Sequence, residues 1–470
     1  MRTFDSGLQL MLRHLSEQFF PLGTDLKIDF ALLPDRARVY LGKTLKEFAY
    51  PKEDHFSPAQ AEKLALARAF ALAATALPGV DIPRYGILTG VRPTKVALRY
   101  LDSFKTEKAA SMMLEKDYLV SPIQSKILTY LSTKDKLVEA TLKKNDILLY
   151  ISIPFCPSRC AYCSFISLSS PKHLDSIGDY LDALNKELCL LSSIVKQNRL
   201  NIRAVYIGGG TPGVLDPHQL ERLLKTLREN FDLEKSEFTC EIGRPDTVTK
   251  EKLEVLKSFK VGRISINPQT TNDSVLSAIG RTHSALDFFK AYELARSFDF
   301  ESINCDLIAG LPSESEESFR RSVDDIIALS PENLTVHSFC LKKSAKLSDY
   351  KFQDPLSAQR MVDHARESCI TSGYLPYYLY RQKNSAGAME NTGYSKEGKD
   401  CLYNITMMED MLPVIACGAG GITKFPSSKK DERIKRIAQF KYHFEYLSMP
   451  EKVENNLKLI DIILKNNQTE

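Results

Sequence analysis

Between residues 146 and 339, short apolar runs alternate with amphipathic stretches at a regular beat. Runs dense in Ile, Val, Leu and aromatic residues predict strands at 147–153 (ILLYISI), 203–208 (RAVYIG), 237–242 (EFTCEI), 263–266 (RISI), 302–308 (SINCDLI) and 333–339 (NLTVHSF). Between them, apolar residues recur at helical spacing over about 173–197, 217–230, 249–257, 272–297 and 315–328. Apolar strands joined by crossover helices predict a parallel sheet with helices outside. Right-handed crossovers curl six such units towards an incomplete (βα)6 barrel, an α/β fold. In such barrels the chemistry sits at the C-terminal ends of the strands.

The flanks have other rhythms. LKIDFALL and RARVYLG are two strand candidates joined by PDRA, a hairpin-like pair. SPAQAEKLALARAFALAATAL reads as a helix with Ser57 as N-cap and Pro58 in the first turn, and a second helical region covers roughly 106–140. Beyond about 345 the pattern is mixed α+β. The expected organisation is an N-terminal α+β module over 1–145, the partial barrel over 146–345 and a C-terminal α+β, partly helical region over 346–470.

Charge narrows the partners. A net charge of +4 over 470 residues is too small to argue for nucleic acid or an anionic membrane. No apolar run reaches the ~18 residues of a membrane span. MRTFDSGLQLMLRHLSEQFF has scattered charges and no unbroken apolar core, so it does not read as a signal peptide. A cytoplasmic location is expected. Of ten cysteines, seven lie at wide spacing, which fits reduced thiols better than a disulfide framework.

The other three fill CPSRCAYC, just after the first strand: Cys156, Cys160 and Cys163, spaced C-x3-C-x2-C. A structural zinc site wants four protein ligands, and no second cysteine pair follows. Iron–sulfur clusters are held by thiolates in tight loops of this kind. Three thiolates on a four-iron cluster leave one iron open to a reactant. A packed loop or a zinc knuckle is the plainer alternative.

Further polar residues end the strands. YIGGGTP closes the second run with Gly208, Gly209 and Gly210; glycine permits unusual φ and close backbone approach to a ligand, whereas a plain strand-to-helix turn needs one. No Gly-Lys-Ser/Thr follows, so this is not a P-loop. Glu241 ends the third strand, Gln269 follows the fourth, IGRTH carries Arg281 and His283, and Asp306 interrupts the fifth. Cys240, one residue before Glu241, should face the core. An Asp between apolar residues is costly unless paired or liganded.

The cysteine motif, with the aromatic Tyr162 before its last member, resembles the radical S-adenosylmethionine (SAM) superfamily. PFCPSRCAYCSF, GGGTP, INPQT, IGRTH, DLIAGLP and CGAGGITKF together resemble the oxygen-independent coproporphyrinogen III oxidase (dehydrogenase) family, and GILTGVRPTK (86–95) resembles its HemZ-type branch. The resemblance implies a radical SAM barrel and a [4Fe-4S] cluster on Cys156, Cys160 and Cys163. It implies that the cluster donates an electron to cleave SAM into a 5′-deoxyadenosyl radical. It carries Tyr150, Tyr162, Gly209 and Glu241 over as contacts to the cluster-bound SAM. Gly210, Thr211, Gln269, Arg281, Asp306, Cys340 and Ile422 carry over as contacts to a second SAM.

Two departures bear on the activity: Phe165 stands where the best-studied branch has a fourth cysteine, and Ser152 stands where it has a histidine. The implied function is oxidative decarboxylation of coproporphyrinogen III to protoporphyrinogen IX in heme biosynthesis. The alternatives are a heme chaperone or another anaerobic tetrapyrrole-modifying radical enzyme. The implied partners are a tetrapyrrole substrate, a flavodoxin- or ferredoxin-like electron donor and an electron acceptor. Arg92, Lys95, Arg244, Lys342, Lys343 and Arg381 are candidate partners for propionates, against the plainer reading of solvated surface charge. His337 reads more readily as a packed strand residue than as a heme ligand.

Overall fold

A computed structural model describes residues 6–20, 24, 26–53, 55–163, 171–340, 355–382, 385, 389–426 and 434–469. Phe165, Lys342 and Lys343 lie outside them. The chain divides into two compact units. One is Met1–Leu137 with Leu379–Asn384; the other is Val138–Tyr378 with Ser385–Glu470.

In the first unit, β1 (Ile28–Leu32), β2 (Arg36–Leu41) and β3 (Thr44–Ala49) form an antiparallel meander. The third strand, TLKEFA, carries too few apolar residues to stand out in the sequence. Helix Pro58–Thr75 starts as predicted. Ser57 Oγ accepts from the Gln60 amide, and Gln60 Oε1 accepts from the Ser57 amide, a capping box. Gly86, in GILTG, has φ of 54°, and a Cβ there would stand 2.0 Å from the Tyr118 carbonyl oxygen. Close packing against the 118–119 turn thus accounts for this glycine without a ligand.

The second unit is built on β4 (Asp146–Ile153), β5 (Asn201–Gly209), β6 (Glu237–Gly243), β7 (Arg263–Ile266), β8 (Ser302–Ala309) and β9 (Asn333–Ser338), followed by residues 375–378 of β10 (Leu375–Arg381) and by β11 (Glu390–Ser395), β12 (Val414–Cys417), β13 (Ile422–Phe425) and β14 (Lys435–Ala438). The sheet order is β10-β11-β9-β8-β7-β6-β5-β4-β12-β13-β14. Strands β4 to β9 are the six expected ones, parallel and in chain order. The addition is β12, which pairs in parallel with β4, Ala416 opposite Tyr150. Four residues of VIAC amid turn signals read weakly as a strand. The CGAGG turn thereby follows the C-terminal end of a parallel strand, beside the cysteine loop.

Side chains alternate between the two faces of each strand. The outer face carries Leu149, Val205, Cys240, Cys305 and Val336, which pack with Leu184 and Leu188 of helix Ile177–Gln197 and with the other helices in one large core. Each fully buried Leu or Val there stabilises the fold by about 1.5–3 kcal/mol. Cys240 is a core residue, as its place beside Glu241 predicts. The opposite face of the same strands is polar, and carries Tyr150, Tyr206, Glu241, Asp306 and His337.

One expected helix differs. The 272–297 stretch is two helices, Asp273–Ala278 and Ala285–Arg296. Each has its own N-cap, Asn272 and Ser284, and Gly280 turns the chain between them with φ of 76°. The apolar periodicity continues across the break, which hid it. The break frees the IGRTH segment to form a turn against the cysteine loop.

Candidate functional site

The end of β4 runs straight into the cysteine loop, and the glycine segment after β5 lies against it. The Gly210 amide donates to the Ile153 carbonyl and the Thr211 amide to the Phe155 carbonyl, both at 2.7 Å. A Cβ on Gly210 would stand 2.4 Å from the Phe155 oxygen, and one on Gly208 would stand 2.9 Å from the Tyr206 ring and 3.0 Å from Glu241 Oε2. Gly209 has φ of 112°. Close backbone approach therefore requires Gly210, the positive φ favours glycine at 209, and at 208 the near atoms belong to the Tyr206 and Glu241 side chains; the same packing brings Thr211 Oγ1 to 3.2 Å from Cys156 Sγ.

On the loop's other flank Arg244 acts as a clamp. It donates to Asp246 at 2.9 and 2.6 Å, to Ser158 Oγ at 2.5 Å and to Thr282 Oγ1 at 2.7 Å. This corrects the reading of Arg244 as a mouth residue for propionates: it is buried and ties the loop to the IGRTH turn. The Ala161 amide donates to the Ile279 carbonyl at 2.9 Å, a second tie between the same two segments. Arg381 is likewise buried in the first unit, where it donates to the Leu88 carbonyl at 2.7 Å and lies 4.4 Å over the Tyr85 ring. Lys95 is exposed.

Cys156 and Cys160 are buried and Cys163 half-buried, and all ten cysteines are thiols. Among the described residues the three sulfurs are not drawn together into a ligand set. They ride on one short loop that folding alone brings to the strand ends, as suits a cluster whose binding completes the site. The donor chemistry fits: three thiols in a tight loop are the ligand set of an iron–sulfur cluster.

Beside the loop, Arg281 donates through Nη1 to the Asn267 carbonyl at 2.6 Å and through Nη2 to Tyr162 Oη at 3.2 Å. Its Nε is buried without a hydrogen-bond partner, as are Gln269 Oε1, Asn267 Oδ1 and both ring nitrogens of His283. Gln269 holds a left-handed backbone, φ 71°, because its amide donates to the Asp306 carbonyl and its carbonyl accepts from Ile308. Leaving a buried polar atom unpaired costs about 1–3 kcal/mol. Several at one end of the sheet fit a polar ligand that pairs them. Burial and the Arg281 cation push the His283 ring down to about 4, so it is neutral at ordinary pH.

The polar face behind these residues has its own order. Tyr206 stacks on Tyr403 at 4.6 Å between centroids and on Tyr150 at 6.3 Å. Tyr206 Oη donates to Glu241 Oε2 at 3.4 Å. Burial, then the neighbouring Asp306, pushes the Glu241 carboxyl up to about 7. Asp306 is held below the usual carboxylate range: burial opposes ionisation, but His337, Asn304 and Thr335 outweigh it. Tyr403 comes from helix Leu402–Met408, whose N-terminus Glu237 caps by accepting from the Leu402 and Tyr403 amides at 2.9 Å. Sequence reasoning missed Tyr403; it read His337 as a packed strand residue, which it is, without its partner Asp306. Two-residue alternation from Thr335 to His337 was the available signal for His337; nothing local marks Tyr403.

Of the predicted site residues, the structure thus gathers Tyr162, Gly209, Gly210, Thr211 and Arg281 around the loop. It sets Tyr150, Glu241, Gln269 and Asp306 on or beside the polar face. Cys340 forms an isolated bridge with Ser385 just past β9, and Ile422, 47% exposed, opens β13. Ser152 braces the fold: its Oγ donates to the Ala419 carbonyl at 2.6 Å.

The radical SAM superfamily model matches residues 150–326. The oxygen-independent coproporphyrinogen-III oxidase-like protein HemZ of Bacillus subtilis is 37% identical over 352 residues, 73% of this chain and 70% of that protein. Heme chaperone HemW of the same organism is 36% identical over 200 residues, 41% of this chain and 50% of HemW. Among solved structures, coproporphyrinogen III oxidase (HemN) from Escherichia coli superposes with a TM-score of 0.53 at 22% identity, over 69% of this chain and 72% of that one. At that identity the likeness bears on the fold alone.

Proposed function

The chain belongs to the radical SAM superfamily and, within it, to the HemZ-type branch of the oxygen-independent coproporphyrinogen III oxidase family, and from that premise we propose that it decarboxylates two propionate side chains of coproporphyrinogen III. A [4Fe-4S] cluster and SAM are its cofactors. When bound, they would supply the one-electron radical chemistry needed to remove a propionate carboxyl as CO2 and leave a vinyl group, the surplus electron going to an acceptor.

The chain's own residues divide the work. Cys156, Cys160 and Cys163 hold the cluster, and Arg244 and the IGRTH turn fix their loop. Gly209, Glu241, Tyr150 and Tyr162 hold the first SAM. Gly210, Thr211, Gln269, Arg281, Asp306, Cys340 and Ile422 hold a second. The stacked Tyr150, Tyr206 and Tyr403 occupy part of the polar face and keep bulk solvent from it. A flavodoxin- or ferredoxin-like protein supplies electrons. The observation that carries the reading is a pair of buried atoms without hydrogen-bond partners, Gln269 Oε1 just past β7, where its backbone bonds that of Asp306, and Arg281 Nε on the turn against the cysteine loop.

The test is anaerobic. With reductant and SAM, wild type should form 5′-deoxyadenosine and a tetrapyrrole lacking two carboxylates. Asp306→Ala should reduce the tetrapyrrole product more than uncoupled deoxyadenosine formation. A heme chaperone is the second reading, favoured by the HemW likeness and by Phe165 in place of a fourth cysteine. His337 does not serve it as an axial ligand, because Nε2 faces Asp306 at 3.6 Å and the ring's raised basicity favours the protonated form. Tight heme binding with coproporphyrinogen untouched would decide for the chaperone.

A further inference from the structure

The polar face carries two carboxyl groups, Glu241 on β6 and Asp306 on β8, and the Asp306 charge opposes ionisation of Glu241. Two such carboxylates do not ionise equally in one desolvated space. Something must decide which of them carries the charge, and the neighbours of Asp306 are built to do so. His337 lies on β9, two residues along from Thr335, the residue in register with Asp306. Its Nε2 faces Asp306 Oδ2 at 3.6 Å. The other carboxylate oxygen, Oδ1, accepts from Asn304 Nδ2 at 2.8 Å, and Asn304 Oδ1 accepts from Thr335 Oγ1 at 3.1 Å.

The imidazole is itself held. Asn391 on β11 hydrogen-bonds the ring, and Asn391 Oδ1 accepts from the Ser338 amide at 3.0 Å. Asp306 is therefore oriented through both oxygens by groups that are each tied to a second partner. Glu241 is held through one oxygen, Oε2, which accepts from Tyr206 Oη at 3.4 Å. The other titratable groups acting on this space are Tyr150 on β4, Tyr206 on β5, and Cys401 and Tyr403 at the start of helix Leu402–Met408. None of these four is a cation, so among the groups named here His337 is the one that can oppose the two carboxyls.

We propose that His337 is a positioning residue: with Asn391 behind it, and Asn304 and Thr335 on the other oxygen, it makes Asp306 rather than Glu241 the fixed negative charge offered to a cationic ligand of this face. The ligand's identity, a second SAM with its sulfonium and ammonium charges, rests on the function proposed above; the set of side chains around Asp306 does not. Without the imidazole, Asp306 should take up a proton and turn, and the ligand should lose its counter-charge.

The experiment uses the full chain, anaerobically reconstituted, with SAM itself as the probe. Equilibrium dialysis gives stoichiometry and affinity; histidine labelled at ring carbons gives the His337 titration by NMR. Wild type should bind two SAM per chain. His337→Ala should weaken the second by tenfold or more, with the first site and the cluster absorbance unchanged, and His337→Gln, which keeps a donor without the charge, should recover part of the loss. In wild type the His337 ring should titrate above the ordinary histidine value of about 6.5, and in Asp306→Asn it should titrate lower. The NMR measurement needs no bound SAM and reports on proteins whose cluster spectrum shows them folded. Two SAM sites of equal strength in wild type and His337→Ala would overturn the positioning role alone, as would a His337 titration indifferent to Asp306→Asn. One SAM per wild-type chain would overturn the second-SAM reading and this assignment of its counter-charge together.

Discussion

The buried Glu187 and the half-buried Glu241 carboxyls both stand at about 7, chiefly through loss of hydration. For Glu187 the folded protein keeps a proton that the unfolded chain releases near pH 4.5. Its contribution to stability is therefore complete at the acid end and declines as pH rises through about 7. The shift corresponds to roughly 3 kcal/mol. Urea midpoints of the cluster-free protein should fall between about pH 4.5 and 7, and Glu187→Gln, which cannot ionise, should flatten that fall; an unchanged slope would dismiss this account. The cysteines make a simpler prediction at the same scale. Replacing Cys156, Cys160 or Cys163 singly by Ala should abolish iron and sulfide uptake on reconstitution, whereas Cys240→Ala, on the core face, should cost stability and leave the iron content alone.

Among the elements, the turn after β12 is the most constrained. Gly418 has φ of 89°, and a Cβ there would meet Tyr180 Oη at 2.4 Å and the Ser152 carbonyl at 2.7 Å. Its amide donates to Glu187 Oε2 at 2.9 Å, while Tyr446 Oη donates to the same oxygen at 2.6 Å and Gln439 to the other. Gly418→Ala combines a wrong backbone region with a steric clash. It should lower the thermal midpoint by the equivalent of about 2–4 kcal/mol, read by circular dichroism, and a near-neutral result would mean the turn can relax. Elements with strong local signals were legible in the sequence: the six parallel strands, the Ser57-capped helix and the cysteine loop. β12 was not, because four apolar residues gain their strand identity from β4 beside them. The break at Gly280 was not, because helical periodicity runs through it. At the site, residue types at strand ends were visible. Their partners were not, since Asp306 meets His337, and Tyr206 meets Tyr403, only when distant segments converge.

Across the whole molecule, two units with separate cores share one chain in an interrupted order, since residues 379–384 belong to the first unit. Leu379 sits in a hydrophobic cluster with Tyr85, Leu88 and Leu128, and Arg381 satisfies the Leu88 carbonyl. Arg381→Ala should therefore destabilise the first unit by about 2–4 kcal/mol, seen as an earlier transition in calorimetry; a loss confined to the second unit would contradict that assignment. The pairing of β4 with β12 has a temporal side. Ser152 and Ala419 are 267 positions apart, and long-range pairing is slow to form because the intervening chain must first be ordered. On the ribosome, the strand that leads into the cysteines must wait for most of the polypeptide to emerge before its free edge is covered. The thiols are made early and their surroundings are finished late, so cluster insertion into the completed site belongs after translation, and a nascent chain stalled before residue 413 exposes three thiols with no finished pocket around them.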